Sequence, residues 1–175
     1  MAAIAPISLD VYLRSSYEPN AEYVDGAIEE RPTGEYDHAA WQAAIQRWFF
    51  LHEEEWGIDA VPELRVQVSP TRCRIPDVTV LDVNRPVEQV VSAPPLAVFE
   101  ILSPDDSVIR LRQKLEDYAS MGISEIWVID PADGATLKYE AKALRPEDRF
   151  VLPGRAISFS MDEIRERLRR KRPSQ

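Results

Sequence analysis

Two acids stand where a buried strand has no ordinary use for charge. In "RIPDVTVLD", residues 74–82, Asp77 follows a proline and precedes Val78 and Val80; in "PLAVFEILSP", residues 95–104, Glu100 lies inside an otherwise apolar run. Alternate side chains of a strand face opposite ways, so Asp77 shares a side with Thr79, and Glu100 with Val98 and Leu102. An unpaired buried carboxylate is too costly to keep ionised and must be salt-bridged, protonated or metal-bound. If the two runs pair in one sheet, Asp77 and Glu100 come together near one end and offer oxygen ligands to a hard divalent cation. Magnesium suits them, because it takes one or two protein carboxylates and completes its shell with water and substrate phosphate. Read singly, each acid is better explained by a salt bridge at a strand edge.

Lys114 is the third group. It belongs to "SPDDSVIRLRQKLEDYASMG", whose Leu111, Leu115 and Ala119 mark the apolar face of a helix ending at Gly122. On a helical wheel Lys114 flanks that face, beside Tyr118, where its stem can pack while the ammonium reaches toward a sheet. A solvated lysine paired with Asp117 or Tyr118 is the plainer alternative.

The elements that must position these groups follow in order. Ser8 caps a short helix over "LDVYLRSS". Asp25-Gly26 between two short alternating runs signals a hairpin. "YDHAAWQAAIQRWFFLHEEEWG" is one long amphipathic helix with Trp41, Ile45, Trp48 and Phe49 at helical spacing, ending at Gly57. "AVPELRVQV", "IPDVTVLD" and "LAVFEIL" are strands, the last two joined by a Pro-rich loop. After the Lys114 helix, "SEIWVIDP" is a buried strand, and "GATLKYEA" with "RFVLPG" forms a closing hairpin. A helix over "SMDEIRERLRRK" finishes the chain, with Ser160 and Glu163 as its capping box. The predicted class is α/β or α+β, a central mixed sheet flanked by helices.

At 175 residues, one domain with a full core is expected over 1–175. No secretory pattern opens the chain and no run reaches a membrane span, so a soluble, cytoplasmic protein is expected. A single cysteine, Cys73, is expected to be a partly buried, inert thiol. The net charge of −9 argues against non-specific affinity for nucleic acid. Against that, the C-terminal helix and tail, about 161–175, are strongly basic: "RERLRRKR" holds six basic residues and one acidic one.

The ordered set "IPDVTVLD", "PPLAVFEILSPDD" and "RQKLEDYASMGISEIWVIDP", preceded by "EYVDGAIEERP" and a helix near His38, resembles the Uma-two family of restriction endonuclease-like proteins, a branch of the PD-(D/E)XK nuclease superfamily. The resemblance runs from about Ser8 to Pro131. It implies a restriction endonuclease-like core in which Pro76-Asp77 is the PD element and Glu100 the second acid. Asp77 and Glu100 would then hold a magnesium ion, or manganese in its place, with the backbone carbonyl of Ile101 as a third ligand. Where the superfamily pattern wants lysine, two residues after Glu100, this chain has Leu102, and by resemblance Lys114 takes over that role.

The same resemblance points to Glu22 in "AEYVDG" as a further acid of the site, though an alternating strand also explains it as an exposed strand acid. His38, on the inward face with Trp41 and Ile45, is read either as an active-site group or as a core histidine; His52 is read as structural. The function implied is metal-dependent hydrolysis of DNA phosphodiester bonds, with Lys114 orienting the attacking water and a homodimer cutting both strands. Arg65, Arg72, Arg74, Arg110, Arg112 and the tail are the scattered basic candidates for contact with DNA. Two other readings stay open: a homodimeric interaction module that keeps the fold without catalysis, and a metal-dependent phosphoesterase acting on a small substrate.

Overall fold

The computed structural model describes residues 6–31 and 34–169. Its first elements follow from local chemistry. The Ser8 hydroxyl accepts from the Val11 amide at 3.3 Å and caps helix α1, Leu9–Leu13. Asp25 and Gly26, at φ 49° and 93°, form the turn between β1, Ala21–Val24, and β2, Ala27–Glu30. A two-residue hairpin turn of this hand needs positive φ at both positions. At Gly26 a Cβ would also stand 2.7 Å from the Pro6 Cβ, so space as well as conformation selects glycine.

The stretch expected to be one long helix is two. Helix α2, Tyr36–Phe50, gives way at Leu51 and His52 to α3, Glu53–Trp56, which Gly57 closes at φ 63°. Continuing α2 would have placed Glu53, Glu54 and Glu55 at its negative end, whereas the break gives them the first turn of α3, where the helix dipole favours carboxylates. The run 60–68 also divides. It becomes part of β3, Ile58–Pro62, and β4, Val66–Ser69, which lie in different sheets. Pro62 offers no ladder donor, and Glu63 turns the chain at φ 49°.

Residues 72–82 divide in the same way into β5, Arg72–Arg74, and β6, Val78–Asp82, with Ile75, Pro76 and Asp77 crossing between the sheets. The smaller sheet has the order β2-β1-β5-β4. The larger, central sheet runs β10-β9-β8-β7-β6-β3, where β7 is Ala97–Ile101, β8 Glu125–Asp130, β9 Ala135–Glu140 and β10 Ala143–Pro146. It is a mixed sheet, since β7 and β8 are parallel while its other pairs are antiparallel. Helix α4, Val108–Met121, is the crossover that a parallel pair requires.

The closing hairpin differs from expectation. β9 pairs with β10, and β11, Arg149–Leu152, pairs with β12, Ile157–Ser160, as a separate ribbon. Ala141 and Lys142, at φ 49° and 62°, make the β9–β10 turn without the Asn or Gly that would announce it. Helix α5, Met161–Arg169, carries the expected capping box: the Ser160 amide donates to Glu163 at 3.2 Å and the Asp162 amide to the Ser160 hydroxyl at 3.2 Å. The basic tail beyond it lies outside the described residues.

Alternation along β7 sorts the core. Phe99 and Ile101 join Trp127, Phe49, Phe150 and Phe159 in an aromatic layer under α2 and α5. Val98, on the opposite face, joins Leu115, Tyr118, Ile126 and Val128 under α4, with Leu102 packed against them. Glu100 thus faces the α4 layer. Cys73 is fully buried beside Tyr12 and Tyr23, and burial pushes its thiol up to about 11, which leaves it inert. Among the described residues no helix is long and apolar enough to cross a membrane.

Candidate active site

Asp77 lies at the crossing just before β6, 1% exposed. Its backbone is pinned by Gln42, whose side-chain amide donates to the Asp77 carbonyl at 2.9 Å. Its carboxylate is divided between two kinds of donor. Oδ2 accepts from the Ile101 amide at 2.7 Å and faces His38 Nε2 at 3.4 Å, while Oδ1 is bonded by the Arg31 guanidinium. Burial alone would raise this carboxyl, but the His38 hydrogen bond and the Arg31 charge hold it below the usual carboxylate value. His38, half-buried, is raised in turn, chiefly by its hydrogen bond to Asp77.

Glu100 projects from β7 and is 5% exposed. The Tyr118 hydroxyl donates to Oε1 at 2.6 Å and the Lys114 ammonium to Oε2 at 2.7 Å. Burial raises Glu100 to about 7; Lys114 opposes the rise, and Asp77 and Glu22 add to it. The same burial, together with Glu100, puts the Tyr118 hydroxyl well above its ordinary value.

Lys114 reaches across from α4 and meets Glu100 at 2.7 Å, Glu22 at 2.9 Å and the Ile75 carbonyl at 3.3 Å. An ammonium has three donors, so all of them have acceptors. Burial works against its charge, yet Glu100 and Glu22 raise its pKa above that of a free lysine. Glu22, on β1, also accepts from the Ile75 amide at 3.0 Å and from Arg74 at 2.9 Å. Against its burial, Lys114 and Arg74 bring Glu22 below the usual range.

Asp77, Glu100, Lys114, Glu22 and His38 therefore line one cleft, between the smaller sheet and the end of the central one. Of Ile101, the amide is what meets Asp77. Leu102, where a strand lysine would stand, packs into the α4 core layer, and the ammonium at Glu100 comes from the helix instead. His52 stacks on Trp56 with ring centres 4.3 Å apart, in keeping with a structural role.

Sequence reasoning missed Arg31, whose guanidinium lies against Asp77, named Arg74 only as a candidate for contact with DNA, and gave no site role to Tyr118. Tyr118 had a local signal, since it lies one helical turn beyond Lys114 on the same helix. Arg31 and Arg74 had none, since each meets its acids only through tertiary contacts: Arg31 with Asp77 at the chain crossing, Arg74 with Glu22 on β1 and Asp117 on α4. Among the other basic candidates, Arg72 and Arg74 are bound to Asp117, Arg65 lies over the Tyr12 ring, and Arg112 pairs with Glu116. Among the described residues of that expected set, Arg110 alone lines the cleft unburied.

Among the described residues no three His, Cys, Asp or Glu side chains form a cluster able to hold a metal ion. A cation here would rest on two carboxylates, with water and substrate oxygens completing its shell, which is the way magnesium is commonly held. The hard oxygens of Asp77 and Glu100 fit that donor set, and they are the oxygens that Arg31 and Lys114 now engage.

The same architecture occurs in a crystal structure from Anabaena variabilis described as "a putative nuclease belonging to DUF820". It superposes with a TM-score of 0.76 at 23% identity, covering 93% of this chain and 99% of that one. A weaker likeness, with a TM-score of 0.40 at 14% identity over 75% of this chain and 12% of the other, is to a DrdV–DNA complex. No curated protein matches the chain. The fold is thus that of a nuclease-like α+β protein. The chain belongs to the Uma2 family, described as "Putative restriction endonuclease", which matches residues 9–157.

Proposed function

We propose that this chain is a metal-dependent endonuclease that hydrolyses phosphodiester bonds in DNA. The observation that carries the reading is the meeting of Asp77, Glu100 and Lys114 in one cleft: a buried acid at the crossing just before β6, a second on the neighbouring β7, and an ammonium 2.7 Å from the second of them. Membership of a family described as restriction endonucleases supplies the reaction class. Asp77 and Glu100 would hold magnesium or manganese, which when bound supplies Lewis-acid polarisation of a phosphoryl oxygen and acidifies water.

The protein's own part is positional. Ile101 and His38 fix one oxygen of Asp77, and Tyr118 fixes one oxygen of Glu100, so each carboxylate keeps a single oxygen facing exchangeable partners. Lys114 would orient the attacking water and offset the charge that builds on the phosphate, for which at least one of its three donors must leave its present acceptor, the longest contact being the Ile75 carbonyl at 3.3 Å. Glu22 keeps the ammonium in place while that happens. Cutting both strands of a duplex would take two such clefts, so a homodimer forms part of the proposal.

The full pairing of Lys114 also favours a second reading, in which the charges serve only to hold the two sheets together and the chain is a non-catalytic module. Plasmid cleavage with Mg²⁺ or Mn²⁺ decides between them. Wild type should nick, Asp77→Ala and Glu100→Ala should fall to background, and Lys114→Ala should lose about 10²–10³-fold in rate. Nicking that survives Glu100→Ala would overturn the site, and a folded wild type that never nicks would favour the module.

A further inference from the structure

Arg31 follows β2 and lines the cleft at 15% side-chain exposure. One arm of its guanidinium bonds Asp77 Oδ1, and the other stands 3.7 Å from Glu63 Oε1, at the edge of ion-pair range. Asp77, Glu100, Glu22 and Glu63 all act on its charge. The two oxygens of Asp77 are not alike. Oδ2 is tied to the Ile101 amide, a backbone group that cannot withdraw without breaking β7. Oδ1 is held by a long side chain that can, so Oδ1 is the oxygen for which Arg31 and a divalent cation compete.

A guanidinium leaving Asp77 gives up its one close partner and keeps only Glu63, at 3.7 Å and half-exposed, so a second close anion would offset the loss, since a buried charge short of partners is unfavourable. A phosphodiester arriving beside the cation brings one, and the planar fork that fits a carboxylate also fits two phosphate oxygens. We propose that Arg31 is a phosphate-binding residue of this site, yielding Asp77 Oδ1 to the cation and closing on the non-bridging oxygens of the scissile phosphate. The inference rests on the nuclease reading and adds to it a substrate contact made by a residue outside the acid–lysine set. It would also couple the two affinities, since each partner would lower the cost of binding the other.

The test measures two affinities expected to move in opposite directions. In calorimetry with Mn²⁺ alone, Arg31→Gln should bind about tenfold more tightly than wild type, since a charge-assisted competitor has gone. In fluorescence anisotropy with a short duplex and Ca²⁺, which takes similar oxygen ligands in a looser shell, the same variant should bind DNA about tenfold more weakly. Arg31→Lys keeps the charge without the fork, should recover part of the DNA affinity, and guards against a fold lost with glutamine. Arg110→Gln removes a charge from the same cleft without touching Asp77 and should leave Mn²⁺ affinity unchanged.

Equal or weaker Mn²⁺ binding by Arg31→Gln overturns the inference, as does equal tightening by Arg110→Gln, which would reduce the effect to general charge. If wild type cleaves while Arg31→Gln matches it in both affinities, the inference fails and the nuclease reading stands. A wild type that neither binds Mn²⁺ nor cleaves DNA removes both.

Discussion

At the scale of single residues, burial and charge pull the two principal acids apart. Glu100 holds its proton more tightly in the folded chain than its ordinary value of 4.5 allows, up to about 7. Between those values the folded chain carries more protons than the unfolded one, so this group's contribution to stability falls as pH rises through the window. Asp77 and Glu22 are lowered instead, and theirs is lost only when pH drops below the ordinary carboxylate range. Urea midpoints from about pH 4.5 to about 7 should therefore decline for wild type more steeply than for Glu100→Gln; parallel profiles would show that Glu100 is already ionised throughout. The pairing of Asp77 with Glu100 could be anticipated from two acids in apolar strands, because a lone charge in such a run demands explanation. Arg31 could not, since an arginine after "IEE" looks like any surface residue until the chain crossing brings Asp77 to it.

At the scale of elements, Arg74 does the joining. From β5 it donates to Glu22 on β1 at 2.9 Å and to Asp117 on α4 at 2.7 Å, while 1% exposed. Removing one member of a buried, hydrogen-bonded charge set strands the others, so Arg74→Met should cost about 3–5 kcal/mol. Arg74→Lys should cost less, because the charge remains even though the guanidinium fork is lost. Chemical denaturation measures both, and a loss below about 1 kcal/mol for the methionine variant would place the network with weak surface pairs. Element types were largely readable from period and caps: Ser8, Asp25-Gly26, Gly122 and Ser160 each mark a boundary by local chemistry. Two of the misread boundaries share a cause. The runs 60–68 and 74–82 are continuous in hydropathy, and only the existence of two sheets, a long-range fact, tells where each must break.

At the scale of the molecule, the chain is acidic, with a net charge of −9, and the arginines once open to a DNA role are mostly paired with its own acids. On the proposed nuclease reading, contact with DNA would fall to a few cations that line the cleft, chiefly Arg31, Arg110 and Lys114, assisted by a divalent ion. Duplex affinity should accordingly collapse in EDTA and, with Ca²⁺ present, fall with salt at a log–log slope of about −3. A slope near −10 would instead put the contact on an extended basic surface such as the C-terminal tail. Lys114 bonds Glu22 of the smaller sheet and Glu100 of the central one at once, so the cleft is also the seam by which the two sheets are stitched. The Ile75 amide hangs on Glu22 and the Ile101 amide on Asp77. Whatever exchanges partners in the cleft must therefore tug on main chain at both edges of the seam, which makes these two peptide groups built-in strain gauges for the state of the site.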